Sequence, residues 1–405
     1  MAIDLRIMTL NCWGLPFPVI CKNRQERIYA IGEYLHKSSF DIIVLEEIWV
    51  KSDFHMLREK LKKKLPFSHY FYSGAIGSGI CVFSKFLITE TMYYCFHLNG
   101  HPHKIFHGDW FGGKGVGMCS LLIDGLDINL YCTHFHAEYN PGHDEYEAHR
   151  LAQAIELCQF VRRTSSNCDM VIVAGDFNTT PAQLGYKVIT HYGNLRDVWR
   201  DKQNAMDEES GGTCEVPGNI YTDPKNLTRC PHGSRIDYIM YDVKESFEVL
   251  VSDWQTGIGK IPELNINYSD HEAVLVKISI NKREATESPP LKNLPSQKSL
   301  SREQRESLQE SLLVLDKGVA RCVNEEKFFQ SMVFVLSLIL YAINNWLVDP
   351  MTLEDSLLMA FSISCAKLGL ALAIGVSVWT ALILKRAEFH ALVACKEDIM
   401  KLLGV

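Results

Sequence analysis

Residues 170–178 read Met-Val-Ile-Val-Ala-Gly-Asp-Phe-Asn, five apolar residues followed at once by a glycine and a short polar segment. A continuous apolar run of this length predicts a buried strand, and Gly175 marks its end. Asp176 and Asn178 then fall where the strand gives way to a loop. Rigid scaffolds display their chemically active groups at such positions. Taken alone, this sequence is also compatible with an Asx-type turn.

Apolar runs of the same kind recur on both sides of this segment and alternate with helical stretches. The predicted strands are Leu5–Leu10, Ile42–Leu45, Ile80–Phe83, Leu126–Cys132, Met170–Ala174, Ile236–Tyr241 and Ala273–Ile280. The predicted helices include Arg24–His36, Phe54–Leu61 and Glu145–Thr164. Strands that alternate with helices predict an α/β domain built on sheets, and we expect it to occupy residues 1–280.

Polar side chains lie at the ends of most of these predicted strands. They are Asn11, Glu46, Glu47, His134, His136, Asp176, Asn178, Asp237, Asp270 and His271. Carboxylate and amide oxygens suit Mg²⁺, whereas imidazole paired with Asp suits proton transfer. The set predicts a metal-assisted hydrolase of phosphate esters with water as the nucleophile. Each residue also has a purely structural interpretation when it is taken singly. Asn11 could be a turn residue, Glu47 could precede a helix, and Asp237 could simply pair with another residue in the core.

The composition is that of a globular protein, and it narrows the range of partners. A chain of 405 residues with 47% hydrophobic and 22% charged residues is not largely disordered. The net charge of -7 argues against a surface built to follow nucleic-acid phosphates. The 13 Cys show no CxxC pair and no zinc-ligand spacing, so we expect reduced thiols facing the cytosol. The charged N-terminus predicts no signal peptide.

Two long apolar segments near the C-terminus predict transmembrane helices at residues 328–348 and 357–384. The alternative is a buried helical hairpin in a soluble domain, but neither segment shows the polar face of a surface helix. Residues 281–320 are rich in Ser, Pro, Lys and Glu, and we expect them to form a linker. Residues 321–405 would then be the membrane region.

Charged residues next to these segments predict their orientation. They are Arg321 and Lys327 before the first segment, Asp349, Glu354 and Asp355 between the two, and Lys385 and Arg386 after the second. The positive-inside rule places both termini in the cytosol, so we expect a multi-pass membrane protein with a cytosolic catalytic domain. The short spans favour the endoplasmic reticulum over the plasma membrane.

Seven short motifs occur in an order found in a known family. They are Leu-Asn-Cys-Trp-Gly (10–14), Leu-Glu-Glu-Ile-Trp (45–49), Gly-Ser-Gly-Ile-Cys-Val-Phe-Ser-Lys (77–85), Thr-His-Phe-His-Ala-Glu-Tyr (133–139), Gly-Asp-Phe-Asn (175–178), Arg-Ile-Asp-Tyr (235–238) and Ser-Asp-His (269–271). This set resembles the deoxyribonuclease-I-like endonuclease/exonuclease/phosphatase superfamily. With His-Gly-Asp-Trp-Phe (107–111) and the apolar C-terminal hairpin, the chain is similar to the animal neutral sphingomyelinases.

This resemblance implies a four-layered α/β sandwich, with two mixed sheets packed face to face and helices outside, followed by a C-terminal transmembrane hairpin. It also implies a Mg²⁺ site. Glu47 matches the principal metal ligand, Asn11 lies close to the metal, and Asp270 touches metal or water.

The resemblance further implies how the reaction is carried out. His271 matches the general base that activates water, and Asp237 matches the carboxylate that orients it. Asp176 and Asn178 match groups that position the water and the phosphoryl oxygens. His134 matches a donor to the negative charge that develops on those oxygens.

Three features stay open at this point. His136 could contact a lipid headgroup or have a structural role, and for His149 we favour packing. The sequence Gly112-Gly113-Lys114-Gly115 lacks the Lys-Ser/Thr pair of a phosphate-binding loop, so it predicts a turn that enters a strand at Val116.

The function implied is that of a Mg²⁺-dependent sphingomyelin phosphodiesterase of the phospholipase C type, which releases ceramide and phosphocholine. Lysophospholipids with a phosphocholine head would be further substrates. Membrane lipid is then the partner, and no nucleic acid is expected. A membrane-tethered nuclease or an inositol-phosphate phosphatase on the same fold, or a non-catalytic membrane scaffold, are the alternatives.

Overall fold

The computed structural model describes residues 2–140, 142–202, 211–283, 300–345 and 357–405. Its strands are β1 Ala2–Asn11, β2 Ile42–Glu46, β3 Phe67–Tyr70, β4 Cys81–Ser84, β5 Ile88–Cys95, β6 Gly115–Ile123, β7 Leu126–His134, β8 Met170–Asp176, β9 Arg196–Asp197, β10 Asp237–Val243, β11 Phe247–Thr256, β12 Lys260–Ile261, β13 Ile266–Asn267 and β14 Val274–Lys282. Its helices are α1 Arg24–Lys37, α2 Lys51–Leu61, α3 Asp109–Gly112, α4 Glu147–Thr164, α5 Leu184–His191, α6 Pro224–Leu227, α7 Arg302–Asn345, α8 Leu357–Trp379 and α9 Lys385–Leu403.

The chain divides into two compact units. One, the sheet unit, comprises Met1–Pro102 and Phe106–Ser311. The other, the helical unit, comprises His103–Ile105 and Leu312–Val405.

Two mixed six-stranded sheets form the sheet unit. The first has the order β11-β14-β1-β2-β4-β3, and the second has the order β5-β6-β7-β8-β10-β9. Each sheet contains one parallel pair, β1 with β2 and β7 with β8, flanked by antiparallel neighbours. The carboxyl ends of the parallel strands therefore lie at one edge of each sheet.

Alternating residues of the central strands fill the space between the two sheets. Leu5 and Ile7 of β1 share one core with Ile172 and Ala174 of β8, and all four are fully buried. Strands with both faces covered are expected to be apolar throughout, which is why these runs stand out in the sequence.

Helices cover the outer faces of the sheets. Ile28 and Ile31 of α1 and Leu57 of α2 pack on the outer face of the first sheet, in a core with Met8 and Ile43. On the second sheet, the hydroxyl of Tyr131 in β7 hydrogen-bonds that of Thr164 in α4 at 2.7 Å. The predicted four-layered α/β sandwich is confirmed.

The seven strands predicted from apolar runs all occur, most of them a few residues longer. The strands that the sequence did not indicate include β5 and β11, which carry many exposed residues and lie at the edges of the sheets. Edge strands are half solvated, so they lack the continuous apolar run of a central strand.

The helical unit contains most of α7, all of α8 and α9, and a π-helical turn at Thr380–Leu384 between the last two. Lys385 at the start of α9 is buried and forms ion pairs with Glu325 of α7 and with Glu388, the latter at 2.7 Å. Lys396 pairs with Asp316, so residues 312–327 and α9 run antiparallel.

The predicted linker and membrane spans can be compared with the structure only where the residues are described. Residues 284–299 of the predicted linker lie outside the described residues. Helix α7 begins at Arg302, so residues 302–320 of the predicted linker are helical. The last residues of the first predicted span, with Asp349, Glu354 and Asp355, also lie outside the described residues. Two helices are long and apolar enough to cross a bilayer by length and composition.

Candidate active site

The predicted site residues meet at one edge of the sandwich, where strands of both sheets end. In the first sheet Asn11 pairs with Glu46 in register. In the second sheet Asp176 pairs with both His134 and Asp237. Gly175 allows this approach, because its φ is +143° and a Cβ atom there would lie 2.0 Å from the carbonyl oxygen of Thr133.

Asn11 connects the two sheets at this edge. Its amide nitrogen donates to Oδ2 of Asp176 at 3.0 Å and lies 3.3 Å from Oε1 of Glu47. Its amide oxygen accepts from the backbone N–H of Trp13 at 3.0 Å, which fixes the orientation of the amide. The carboxylates of Glu47 and Asp176 are thereby held on either side of one side chain.

The two adjacent glutamates have different environments. Glu46 ends β2 and points into the buried interior, where its Oε1 accepts from the hydroxyl of Thr9 at 2.7 Å. Glu47 has a left-handed backbone with φ of 57°, which breaks the strand alternation and turns its side chain toward Asn11. Trp49 donates its indole N–H to Oε2 of Glu47 at 3.3 Å.

A carboxylate–imidazole pair lies on the other side of Asp176. Nδ1 of His271 is 2.9 Å from Oδ2 of Asp237, whose side chain is buried, whereas the His271 side chain is 10% exposed. The hydroxyl of Thr213 accepts from the backbone N–H of Asp237 at 3.1 Å. Because Nδ1 of His271 faces the carboxylate, its Nε2 atom is the nitrogen left to take a proton.

Asn178 is held against Asp176 by two hydrogen bonds. Its backbone N–H donates to Oδ1 of Asp176 at 2.9 Å, and its side-chain amide donates to Oδ2 at 3.2 Å. The same amide donates to the carbonyl of Phe135 at 3.1 Å. This is the Asx-type turn that the sequence left open, and it places Asn178 at the site as well.

The carboxyl groups of this edge hold their protons more tightly than usual. Burial, and then the charge of Asp237, raise the pKa of Asp176 to about 7. Burial, and then the charge of Asp270, raise the pKa of Glu47, and burial also raises the pKa of Asp270. These groups are therefore short of positive charge, which a cation would supply.

Neighbouring groups also shift the pKa of His271. Burial lowers its pKa, but the Cys214 sulfur and the Asp237 carboxylate favour the protonated ring more strongly and raise the pKa well above its usual range. A cation bound among the carboxylates would oppose this shift, because it repels the imidazolium.

Lys114 belongs to this site, and the sequence did not indicate it. Its ammonium lies 2.9 Å from Nε2 of His134 and donates to the carbonyl of Phe135 at 2.7 Å. It is buried and forms an ion pair with buried Asp109. The sequence predicted only a turn here, and the one available signal was an acid and a lysine five residues apart across a glycine-rich turn.

His134 is brought into the cluster through this lysine. Its Nε2 lies 3.4 Å from Oδ2 of Asp176 and 4.0 Å from Oε1 of Glu47. Burial, and then the charge of Lys114, lower the pKa of His134 well below its usual value, so the ring is neutral. Its predicted role as a donor to the phosphoryl group stays a prediction.

The other two histidines lie farther from the carboxylates. His136 is fully buried and stacks on Tyr146 at a centroid distance of 3.9 Å, with Nδ1 2.8 Å from the carbonyl of Ala137. Burial lowers its pKa to about 3. His149 is buried on α4 and accepts at Nδ1 from the backbone N–H of Gly100 at 3.2 Å, in line with the packing role favoured from the sequence.

The donors at this edge fit a hard divalent cation. Oxygens of Asp176 and Asp237 and a ring nitrogen of His271 lie within 4.8 Å of one another. Oδ1 of Asp237 is buried without a hydrogen-bond partner. Glu47 and Asp270 add carboxylate oxygens nearby, while Asn11 presents its amide nitrogen to Glu47 and Asp176. Oxygen-rich sets of this kind suit Mg²⁺.

A family model described as the endonuclease/exonuclease/phosphatase family matches residues 8–271. The chain belongs to this family. The match covers the strand-end residues from Asn11 to His271 and strands β2–β13, and it ends before β14.

Within that family, the chain is similar to proteins named for one activity. It is 40% identical to human sphingomyelin phosphodiesterase 2 over 298 residues, which cover 74% of this chain and 70% of the human protein. It is 36% identical to a Caenorhabditis elegans protein named "putative neutral sphingomyelinase". That similarity covers 100% of this chain and 92% of the relative.

Solved structures show the same fold. SmcL matches with a TM-score of 0.52 and 17% identity, covering 69% of this chain and 99% of SmcL. A beta toxin variant of Staphylococcus aureus with bound magnesium ions matches with a TM-score of 0.51 and 18% identity, covering 68% and 99%. At these sequence identities, the similarity shows only that the fold is shared.

Proposed function

We propose that this chain is a Mg²⁺-dependent sphingomyelin phosphodiesterase of the phospholipase C type, which hydrolyses sphingomyelin to ceramide and phosphocholine. The observation that carries the proposal is the convergence of Glu47, Asp176 and the Asp237–His271 pair at one edge of the fold. It occurs in a chain 40% identical to human sphingomyelin phosphodiesterase 2.

His271 and Asp237 perform the proton transfer in this proposal. Asp237 accepts a hydrogen bond from Nδ1 of His271, fixes the tautomer and stabilises the imidazolium that forms. Nε2 of His271 then removes a proton from the attacking water. Asp176 and Asn178, held to each other, orient that water and the phosphoryl oxygens.

The developing negative charge meets several positive or polar groups. Lys114 contributes a buried ammonium beside His134, and the amide of Asn11 lies between two carboxylates. Mg²⁺, held by Glu47 and Asp270 with Asn11 close to the metal, would supply the remaining positive charge as a Lewis acid. Preorganised charge of this kind is usually the largest contribution to catalysis of phosphoryl transfer.

The C-terminal helices are the proposed membrane anchor. Large apolar side chains of α7 and α8, among them Phe334, Leu338, Phe361 and Leu372, are exposed. A buried helical hairpin would hide such residues, so the exposure supports two membrane spans. We propose a multi-pass topology with the catalytic domain in the cytosol and the endoplasmic reticulum as the membrane, as the flanking charges and span lengths predict.

The decisive experiment measures phosphocholine released from sphingomyelin in mixed micelles at neutral pH, with Mg²⁺ or with excess chelator. Release that requires both the metal and His271, tested as His271→Ala, is the expected result. Lysophosphatidylcholine is tested in parallel as a further proposed substrate. Inositol phosphosphingolipid is included because a relative at 34% identity, from Schizosaccharomyces pombe, is named a phospholipase C for it.

The alternatives predict other outcomes of the same assay. Release from DNA or from a soluble inositol phosphate, without release from sphingomyelin, would favour the nuclease or the phosphatase. No turnover of any substrate by a folded protein supplied with Mg²⁺ would favour the non-catalytic scaffold.

The anchor is tested separately by truncation. A chain ending at residue 320 should leave the membrane fraction and retain activity on micellar sphingomyelin. Truncated protein that stays with membranes through a high-salt wash would show that the apolar helices are not the sole attachment.

A further inference from the structure

The loop that follows Asn11 is apolar and exposed. Residues 11–21 read Asn-Cys-Trp-Gly-Leu-Pro-Phe-Pro-Val-Ile-Cys and carry no charge. All five residues from Pro16 to Ile20 are exposed, with Val19 at 94%, Phe17 at 59% and Ile20 at 57%. A run of consecutive exposed apolar residues is unfavourable in water and marks a surface that another apolar phase covers.

The base of this loop is fixed to the active site. The backbone N–H of Gly14 donates to the carbonyl of Glu47 at 3.1 Å. The guanidinium of Arg27, fully buried, donates to the carbonyls of Cys12 at 2.8 Å and Trp13 at 2.7 Å. The loop therefore rises directly from the backbone that carries two of the proposed metal-site residues.

The tip is held away from the body of the protein. The carbonyl of Phe17 accepts from the backbone N–H groups of Ile20 at 3.0 Å and Cys21 at 2.9 Å, which closes a tight turn. Pro16 and Pro18 restrict the backbone on both sides of Phe17. Little conformational freedom remains to be lost when such a tip is covered.

Neighbouring loops continue the apolar surface. Tyr221 packs against Trp13 at a centroid distance of 5.0 Å, and Ile220 beside it is 48% exposed. Phe106 and Trp110 are also exposed, and they lie in the segment that carries Asp109, the ion-pair partner of Lys114.

We propose that the loop Pro16–Ile20 inserts into the lipid bilayer beside the active site and so admits a substrate that stays in the membrane. This inference rests on the proposed lipid phosphodiesterase function. The loop is uncharged and has two prolines that cannot donate to a strand ladder, so it suits an acyl-chain environment better than an added peptide strand. Its apolar tip lies at the same edge as the carboxylates, where a headgroup must enter.

The first test separates membrane contact from chemistry. The full-length chain in proteoliposomes is assayed on long-chain sphingomyelin in the bilayer and on hexanoyl-sphingomyelin dissolved as monomers. The variant Phe17→Ser/Val19→Ser should lose about tenfold or more on the bilayer substrate and keep its rate on the monomer within about twofold. The matched control is Leu87→Ser/Leu122→Ser, which removes two similarly exposed apolar side chains at the opposite end of the strands.

Equal losses on both substrates, or no loss on either, would overturn the proposal. The proposed function fails differently, because the wild-type protein would then release phosphocholine from neither substrate. A second measurement decides the inference even in that case.

That measurement is photo-crosslinking, which needs no turnover. p-Benzoylphenylalanine is placed at position 17 or, as the control, at position 122 of the full-length chain in phosphatidylcholine proteoliposomes. Lipid adducts at position 17 and not at position 122 are expected. Adducts at position 17 to another copy of the chain, or equal lipid labelling at both positions, would contradict insertion.

Discussion

The sheet unit and the helical unit differ in where their charged and their large apolar side chains lie. In the sheet unit, Glu47, Asp176 and His271 gather at one edge with little solvent exposure, while large apolar side chains fill the cores. Within the described part of the helical unit, Lys385 is the buried charged residue, and large side chains such as Phe334 and Leu372 face outward.

This difference indicates that the sheet unit is suited to catalysis and the helical unit to membrane attachment. Gathering carboxyl groups away from water raises their pKa and costs stability, which a fold tolerates where the groups perform chemistry. Exposing apolar helices costs free energy in water but not in a bilayer. Changes at the site of the sheet unit should therefore alter catalysis, and changes in the helical unit should alter attachment or helix stability. The loop Pro16–Ile20, proposed above to enter the bilayer, is the exception within the sheet unit.

The largest expected effect separates two neighbouring acids of the sheet unit. Glu47→Gln should bring Mg²⁺-dependent phosphocholine release below detection, because it removes the proposed metal ligand, and it should leave the protein in the membrane fraction. Glu46→Gln is the matched control. Burial raises the pKa of Glu46 well above its usual range, which favours the neutral carboxyl that Gln resembles, so activity should stay within about threefold of wild type. Equal loss in both variants would contradict the assignment.

The next effect concerns proton transfer. His271→Ala should lower kcat by about 10²–10⁴-fold, the usual contribution of a general base, without releasing the protein from membranes. Asp237→Asn keeps the shape of the side chain and should lower kcat less, because His271 retains a hydrogen-bond partner. Steady-state kinetics on micellar sphingomyelin measure both. A loss of less than about tenfold for His271→Ala would remove it from the role of base.

A smaller effect links metal, pH and stability in the sheet unit. Because the pKa of Asp176 is raised to about 7 from 3.8, the folded protein binds this proton more tightly than the unfolded chain. The free energy of unfolding of the metal-free protein should then fall as pH rises from about 4 through 7. Mg²⁺ replaces the missing positive charge, so it should raise Tm by about 3 °C more at pH 8 than at pH 6.

Calorimetry of the full-length protein in detergent, with and without Mg²⁺, measures this difference. Glu47→Gln should abolish the increment. A metal-induced shift of the same size at both pH values would contradict a site in which protons and metal compete.

The smallest effect lies in the helical unit. Lys385→Ala leaves Glu325 and Glu388 without their shared cation and should lower the stability of the helical unit by about 1–3 kcal/mol, with activity on micelles unchanged. Arg386→Ala is the control, because its pair with Glu326 at 3.7 Å is exposed on the arginine side and should contribute less than about 1 kcal/mol. Limited proteolysis of α9 in detergent measures both. Equal sensitivity of the two variants would show that burial of Lys385 does not matter.

The sequence predicted the central strands because both of their faces are covered, which leaves continuous apolar runs such as residues 170–174. It did not indicate β5, whose residues are mostly exposed, because a half-solvated edge strand has no distinct pattern. The helical start at Arg302 was also missed, since polar residues dominate the first turns of α7.

The candidate site was predicted where residue type alone is informative. Carboxylates and imidazoles after strands stand out, so Asp176, Asp237 and His271 were identified. Choosing Glu47 over Glu46 needed the family resemblance, because the left-handed backbone that turns Glu47 toward Asn11 is not visible in the sequence. Lys114 was missed, since lysines in glycine-rich turns are usually solvated and its burial depends on Asp109 in the folded chain.

The hydrogen bonds of Asn11 and His271 have one more consequence, since each joins groups carried by different sheets. Asn11 of β1 reaches Asp176 of β8, and His271 ahead of β14 reaches Asp237 of β10. The geometry of the site therefore depends on the relative position of the two sheets. A small sliding of one sheet, caused by enlarging or shrinking a side chain in the core between them, would separate base from carboxylate before it unfolded the protein.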